Sequence, residues 1–226
     1  MGLARGLRPH PRAMIFDLDR CLIDSRNAWR YCIEEALAAA TGRRPDATGL
    51  VDEYHVRPWR DALGILAPSR EASDQCEGLC REMFARSAMK KLLVHEGIGM
   101  ALDALRGETI ELGAISRLPH SVTVKQVQST GLDRFLAVVA ATPQNEPFRP
   151  ADRITQCLTF LEATPERSAY AAADPFDLEA AASIGLRTYC ATWGAGAPDT
   201  PRQGAFQLPG EMRSVVLRDW PTSGRP

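Results

Sequence analysis

The chain has 226 residues, 45% of them apolar and 24% charged, with a net charge of −1. That balance suits a globular protein with one sizeable core and room for a small second unit. It offers no basic surface to nucleic acid or an anionic membrane, and no apolar run reaches the length of a membrane span. The opening residues carry Arg5, Arg8 and Arg12 without a long apolar stretch, so no signal peptide and a cytoplasmic location are expected. Cys21, Cys32, Cys76, Cys80, Cys157 and Cys190 are scattered, and are expected to stay reduced there.

Residues 1–12 read as a lead-in, and 13–16 as a short apolar strand buried on both faces. The strand ends in Asp17-Leu18-Asp19. In an extended segment residues i and i+2 point the same way, so Asp17 and Asp19 can face one substrate atom. Ligands of an open parallel sheet sit beyond the carboxyl ends of its strands, which lifts this pair above ordinary turn acids. Ser25 is placed to cap a helix running to about residue 40, with Trp29, Cys32, Ile33, Ala36 and Leu37 at helical spacing and Gly42 as its stop. A second helical zone covers 50–66, and a third helix runs from Ser69 to about residue 86. Cys76 and Cys80 lie one turn apart, which suits small buried residues on a helix face better than a metal pair with His95. No strand-like alternation occurs over 25–89, so this segment reads as an all-helical insertion.

Helices and strands then alternate. Helices are expected over 98–106, 121–130, 151–163 and 177–184, and strands over 109–115, 135–141, 168–173 and 187–191, with a last edge strand around 214–217. That alternation means right-handed βαβ units and a parallel sheet. The fold class is therefore α/β: a Rossmann-like doubly wound parallel sheet with an inserted all-helical cap. Residues 1–24 and 92–226 would form the core and 25–91 the cap. Parallel strands share one carboxyl edge, which would gather Asp17, Asp19, Ser116, Arg149, Asp174 and Asp177. Acids, a hydroxyl and a cation around one crevice suit phosphoryl transfer, which needs a nucleophile, a proton donor and neutralisation of oxygens.

Phe16-Asp17-Leu18-Asp19-Arg20-Cys21-Leu22-Ile23-Asp24-Ser25 resembles the first signature of the haloacid dehalogenase superfamily, F-D-x-D-G-T-L-x-D-S, and most of all its phosphoglycolate-phosphatase-like branch with a helical cap. Arg20 stands where that family has Gly, and Cys21 where it has Thr. The resemblance implies a phosphohydrolase acting on a small phosphorylated metabolite, with neither nucleic acid nor membrane as partner. Asp17 would be the nucleophile forming an aspartyl-phosphate. Asp19 would protonate the leaving oxygen and then activate water. Ser116 looks like the second signature, which binds a phosphate oxygen. Pro147-Phe148-Arg149-Pro150 resembles the third, P-x-K-P, with Arg149 for Lys. Arg20, Ser116 and Arg117 are expected at the substrate.

Residues 171–181 align with the fourth signature, V-G-D-S-x-x-D-x-x-A-A. Asp177 matches its second acid, whereas Ala173 falls on the first, the direct Mg²⁺ ligand, and Asp174 sits one residue late. The implied cofactor is Mg²⁺, bound weakly by Asp17, the Asp19 carbonyl, and Asp174 or Asp177. Arg20 could point outward, fork onto the substrate, or sit in the crevice as an internal cation. Two other readings stand beside the phosphatase: a catalytically weakened relative that binds a ligand or partner, and a metal-free dehalogenase-like hydrolase. Retention of Asp19 speaks against the latter.

Overall fold

A computed structural model describes residues 11–49, 59–194, 197–198 and 204–220, with side chains of the second segment from 63 onward. Most of the second helical zone, 50–58, lies outside the described residues.

A six-stranded sheet holds the molecule together. Its strands are β1 (Arg12–Asp17), β4 (Ile110–Pro119), β5 (Val138–Thr142), β6 (Ser168–Ala172), β7 (Arg187–Ala191) and β8 (Gly204–Phe206), and every pairing is parallel. The order is β5-β4-β1-β6-β7-β8. The chain leaves β1 for β4 and β5 on one side, then returns to β6 on the other. The carboxyl end of β1 therefore lies at the switch point, where an open α/β sheet leaves a crevice.

Both faces of β1 are covered. Met14 and Phe16 enter one apolar cluster, Ala13 and Ile15 the other, and all four are fully buried. A near-continuous apolar strand is what a doubly covered parallel sheet requires. The flanking helices are α4 (Ile98–Gly107), α5 (His120–Thr130), α6 (Pro150–Phe160), α7 (Pro175–Ser183) and α8 (Met212–Asp219). Gly113 of β4 leaves no room for a Cβ against Cys157, so α6 packs directly on the strand.

Between β1 and α4 the chain makes a π-helical turn at Leu18–Leu22, then a two-stranded antiparallel ribbon of β2 (Ile23–Asp24) and β3 (Leu93–Val94). Out of that ribbon run α1 (Arg26–Thr41), α2 (Trp59–Leu66) and α3 (Arg70–Arg86). Among the described residues this segment contains no strand. Helix α1 begins after Ser25, whose side chain makes no capping bond, and ends on Gly42 at φ 70°. Ser69 does cap α3, accepting from the Ala72 N–H at 3.2 Å. The two helices pack through Trp29 stacked on Phe84 at 4.2 Å, and through Cys76 and Cys80, whose Sγ atoms meet α1 carbonyl oxygens at 3.6 and 3.4 Å. The cysteine pair is thus packing material, and all six cysteines are free and buried.

The tail corrects one expectation. Residues 214–217 are helical, inside α8, with Met212, Val215 and Val216 buried at i, i+3 and i+4. A short apolar run fits helix or strand equally well until its burial is known. The edge strand is β8 instead, where Phe206 stacks on Tyr189 at 4.7 Å.

Candidate active site

Asp17 closes β1 and is fully buried. Its Oδ1 accepts from the Asp19 N–H at 3.1 Å, whereas its Oδ2 is buried without a partner among the described residues. Burial pushes the Asp17 carboxyl up to about 7, against the pull of Arg117 beside it. A carboxylate oxygen that is desolvated yet unpaired at the end of a central strand is a costly arrangement, and such costs concentrate at functional sites.

Asp19 turns the other way. Its Oδ2 accepts from the Ser116 hydroxyl at 3.0 Å and the Arg117 N–H at 2.7 Å, and its Oδ1 from Gln126 at 3.2 Å. Ser116 Oγ in turn accepts from the Leu118 N–H at 3.1 Å. Ser116 is therefore tied to the general-acid candidate and to its own strand end. No local pattern in the sequence marks Gln126, a buried helical glutamine, as facing an acid across the sheet edge.

The largest departure concerns the arginines. Register shifts between Ser116 and Pro119 along β4, and an irregularity of this kind re-aims a side chain. Arg117 thereby turns into the crevice. It pairs with Asp177, lies 3.6 Å from Asp174, and stacks over Phe148 at 4.2 Å. Burial opposes its charge, but Asp17 and Asp177 outweigh that and hold its pKa above the ordinary value. Arg20 reaches Asp174 at 2.7 Å. Its side chain thus points into the crevice rather than outward, and Arg117 joins it there.

Arg149 makes no such pairing. It precedes α6 with an exposed side chain, and no hydrogen bond or ion pair joins that side chain to another described residue. Asp174 caps α7, accepting from the Phe176 N–H at 2.9 Å, while Asp177 is fully buried on the first turn with Oδ1 unpartnered. Burial raises the Asp177 pKa, opposed first by Arg117. Ala173 is fully buried, and a Cβ on Gly194 would lie 2.7 Å from its own Cβ. Trp193 fixes that loop by donating to the Cys21 carbonyl at 2.9 Å.

Both Asp174 oxygens are engaged, one by Arg20 and one by the Phe176 N–H, and one Asp177 oxygen is taken by Arg117. Of the side-chain oxygens on the expected Mg²⁺ ligands, Asp17 Oδ2 and Asp177 Oδ1 remain to join the Asp19 carbonyl, and they lie beside a guanidinium. Among the described residues no three acids, histidines or cysteines stand placed to hold a metal ion. Magnesium demands a near-octahedral shell of oxygens. As they stand, these residues do not fit it.

A doubly wound sheet whose central strand ends in paired acids, at the switch point and among further carboxylates, gathers them where such sheets hold their ligands. The family follows from comparison with known proteins. The model of the haloacid dehalogenase-like hydrolases matches residues 14–191, and the chain belongs to that family. It is 24% identical over 191 residues to the pyrophosphatase PpaX of Listeria monocytogenes, covering 82% of this chain and 85% of that protein. It is 25% identical over 194 residues to the tyrosine-protein kinase PtkA of Mycobacterium tuberculosis, covering 84% of this chain and 65% of that one. In fold it is similar to a haloacid dehalogenase-like hydrolase from Streptococcus pneumoniae, with a TM-score of 0.75 and 18% identity over 92% of this chain and 99% of that one.

Proposed function

We propose that the chain is a phosphohydrolase acting on a small phosphorylated metabolite through an aspartyl-phosphate on Asp17. The observation that carries this is the unpartnered, buried Oδ2 of Asp17 at the switch point, with two guanidinium groups beside its crevice. In this reading Asp17 Oδ2 attacks phosphorus as the bond to the leaving oxygen breaks. Asp19 supplies the proton that the leaving oxygen takes up. Water then attacks the acyl phosphate, Asp19 takes its proton, and free phosphate departs with Asp17 restored. Asp19 Oδ2 must first leave Ser116 for the substrate, while Gln126 holds Oδ1. Arg117 and Arg20 offer donors to the phosphoryl oxygens.

Phosphatases of this family generally use Mg²⁺, which supplies charge neutralisation when bound. Any Mg²⁺ held here by Asp17, the Asp19 carbonyl, and Asp174 or Asp177 is bound weakly, for the reasons of geometry above. Residues 25–91 serve in this reading as a cap over the crevice and set which metabolite enters. A cytoplasmic location and no nucleic-acid or membrane partner belong to the same proposal; among the described residues, no helix is long and apolar enough to cross a membrane. The names of the relatives, a pyrophosphatase and a kinase, support phosphoryl chemistry in general.

The test is a panel of phosphate esters, with and without Mg²⁺, using Asp17→Asn as blank. An amide cannot attack phosphorus as a carboxylate does, so turnover should fall by about 10³-fold or more while the fold persists. Undiminished turnover in the variant would assign the activity to another nucleophile or to a contaminant.

A further inference from the structure

We propose that Arg117 is a built-in counter-ion for the carboxylates at the switch point, and that a divalent cation enters this site only by displacing it. The inference goes beyond the phosphohydrolase reading, because it concerns what neutralises the acids before any substrate arrives.

Four carboxylates meet at the edge of β1 and β6, a charge that burial makes expensive to leave unbalanced. Arg117 is held there from both ends. Its backbone N–H donates to Asp19 Oδ2 at 2.7 Å, which fixes the strand beneath it. Its guanidinium lies on Phe148 at 4.2 Å and pairs with Asp177. Asp174 Oδ2 is shared, with Arg20 at 2.7 Å and Arg117 at 3.6 Å. An arginine cannot give up its proton to make way for a metal, so it must swing off Phe148 and out of the crevice. Until it does, a cation approaching Asp17 Oδ2 and Asp177 Oδ1 meets a positive charge.

The loss of an acid at Ala173 agrees with this arrangement. Ala173 is enclosed, with Gly194 closed onto it and the loop tied to Cys21 by Trp193. The space that a strand-end carboxylate would need is occupied, and the next acid along, Asp174, is spent on Arg20 and on capping α7.

The experiment is calorimetric titration of Mg²⁺ into the wild type, Arg117→Met and Phe148→Leu, each checked for native circular dichroism. Met keeps the length of the stem without the charge; Leu leaves the charge but removes the ring that holds it. The wild type should bind Mg²⁺ weakly. Arg117→Met should bind it at least about tenfold tighter, and Phe148→Leu should shift the same way by a smaller factor. If Arg117→Met does not fold, Phe148→Leu decides alone. Wild-type affinity already equal to that of the variants, or no gain in any folded variant, overturns the proposal. Heat of binding is read without turnover, so this result and the ester panel can fail independently.

Discussion

Arg117 and Arg149 lie at the carboxyl edge of neighbouring strands, and their fates differ completely. Arg149 follows β5 in a P-x-R-P frame that looks like a signature, yet its side chain is exposed and unpaired among the described residues. Arg117 follows Ser116 of the second signature and is expected at the substrate; it sits among four carboxylates and on an aromatic ring. The difference lies in the backbone. β4 shifts register between Ser116 and Pro119, and Arg117 lies within that irregular stretch, where a strand re-aims its side chains. Spacing along the chain selected the right edge of the sheet; strand geometry selected which arginine entered it.

Replacing each arginine by Ala breaks or sharpens that contrast most directly. Without added divalent metal, Arg117→Ala should lower kcat/KM for a hydrolysed phosphate ester by about a hundredfold, the usual effect of removing one fixed donor to a developing charge. Arg149→Ala should cost no more than about fivefold, because an exposed charge is screened by water. Steady-state kinetics on both variants decide it. The reverse ranking would return the role to the third signature and leave Arg117 as an ion-pair partner only.

What was legible in the sequence was local. The apolar strand at residues 13–16, the acids at Asp17 and Asp19, and the helical segment between β2 and β3 could be read because each depends on near neighbours or on a simple period. The placement of Arg117 depends on a register shift, on Phe148 from the next loop, and on acids about sixty residues away. None of these leaves a pattern in the chain around residue 117. The same limit applies to α8, whose Val215 and Val216 look strand-like until Met212 completes a helical face.

A second contrast is between Asp17 and its amide variant in stability. The folded chain raises the Asp17 carboxyl from 3.8 to about 7, first through burial, so the folded state keeps that proton over a range where the unfolded state has released it. The resulting stabilisation is complete below the unfolded value and is lost as pH climbs through the folded one. Asp17→Asn carries no such charge. Its stability relative to the wild type should therefore grow between pH 4 and pH 7, by on the order of 2 kcal/mol. Urea unfolding of both proteins at pH 5 and pH 8 measures this. An equal midpoint difference at the two values would mean that Arg117 fully offsets the burial of the charge.

The smallest expected effect belongs to Gln126, a positioning residue acting through Asp19. Its amide donates to Asp19 Oδ1 at 3.2 Å, while its own Oε1 is buried without a partner. Gln126→Leu removes one donor and one unsatisfied acceptor together, so the unfolding midpoint should move little. Ser116 and the Arg117 N–H still hold the other oxygen of Asp19. The carboxylate keeps its place but gains freedom to rotate, and kcat should fall about threefold with KM unchanged. Gln126→Glu sets a carboxylate against Asp19 in the same space, and should cost about tenfold in kcat. A merely structural glutamine would show the opposite pattern, with stability falling in both variants and kcat following only the folded fraction.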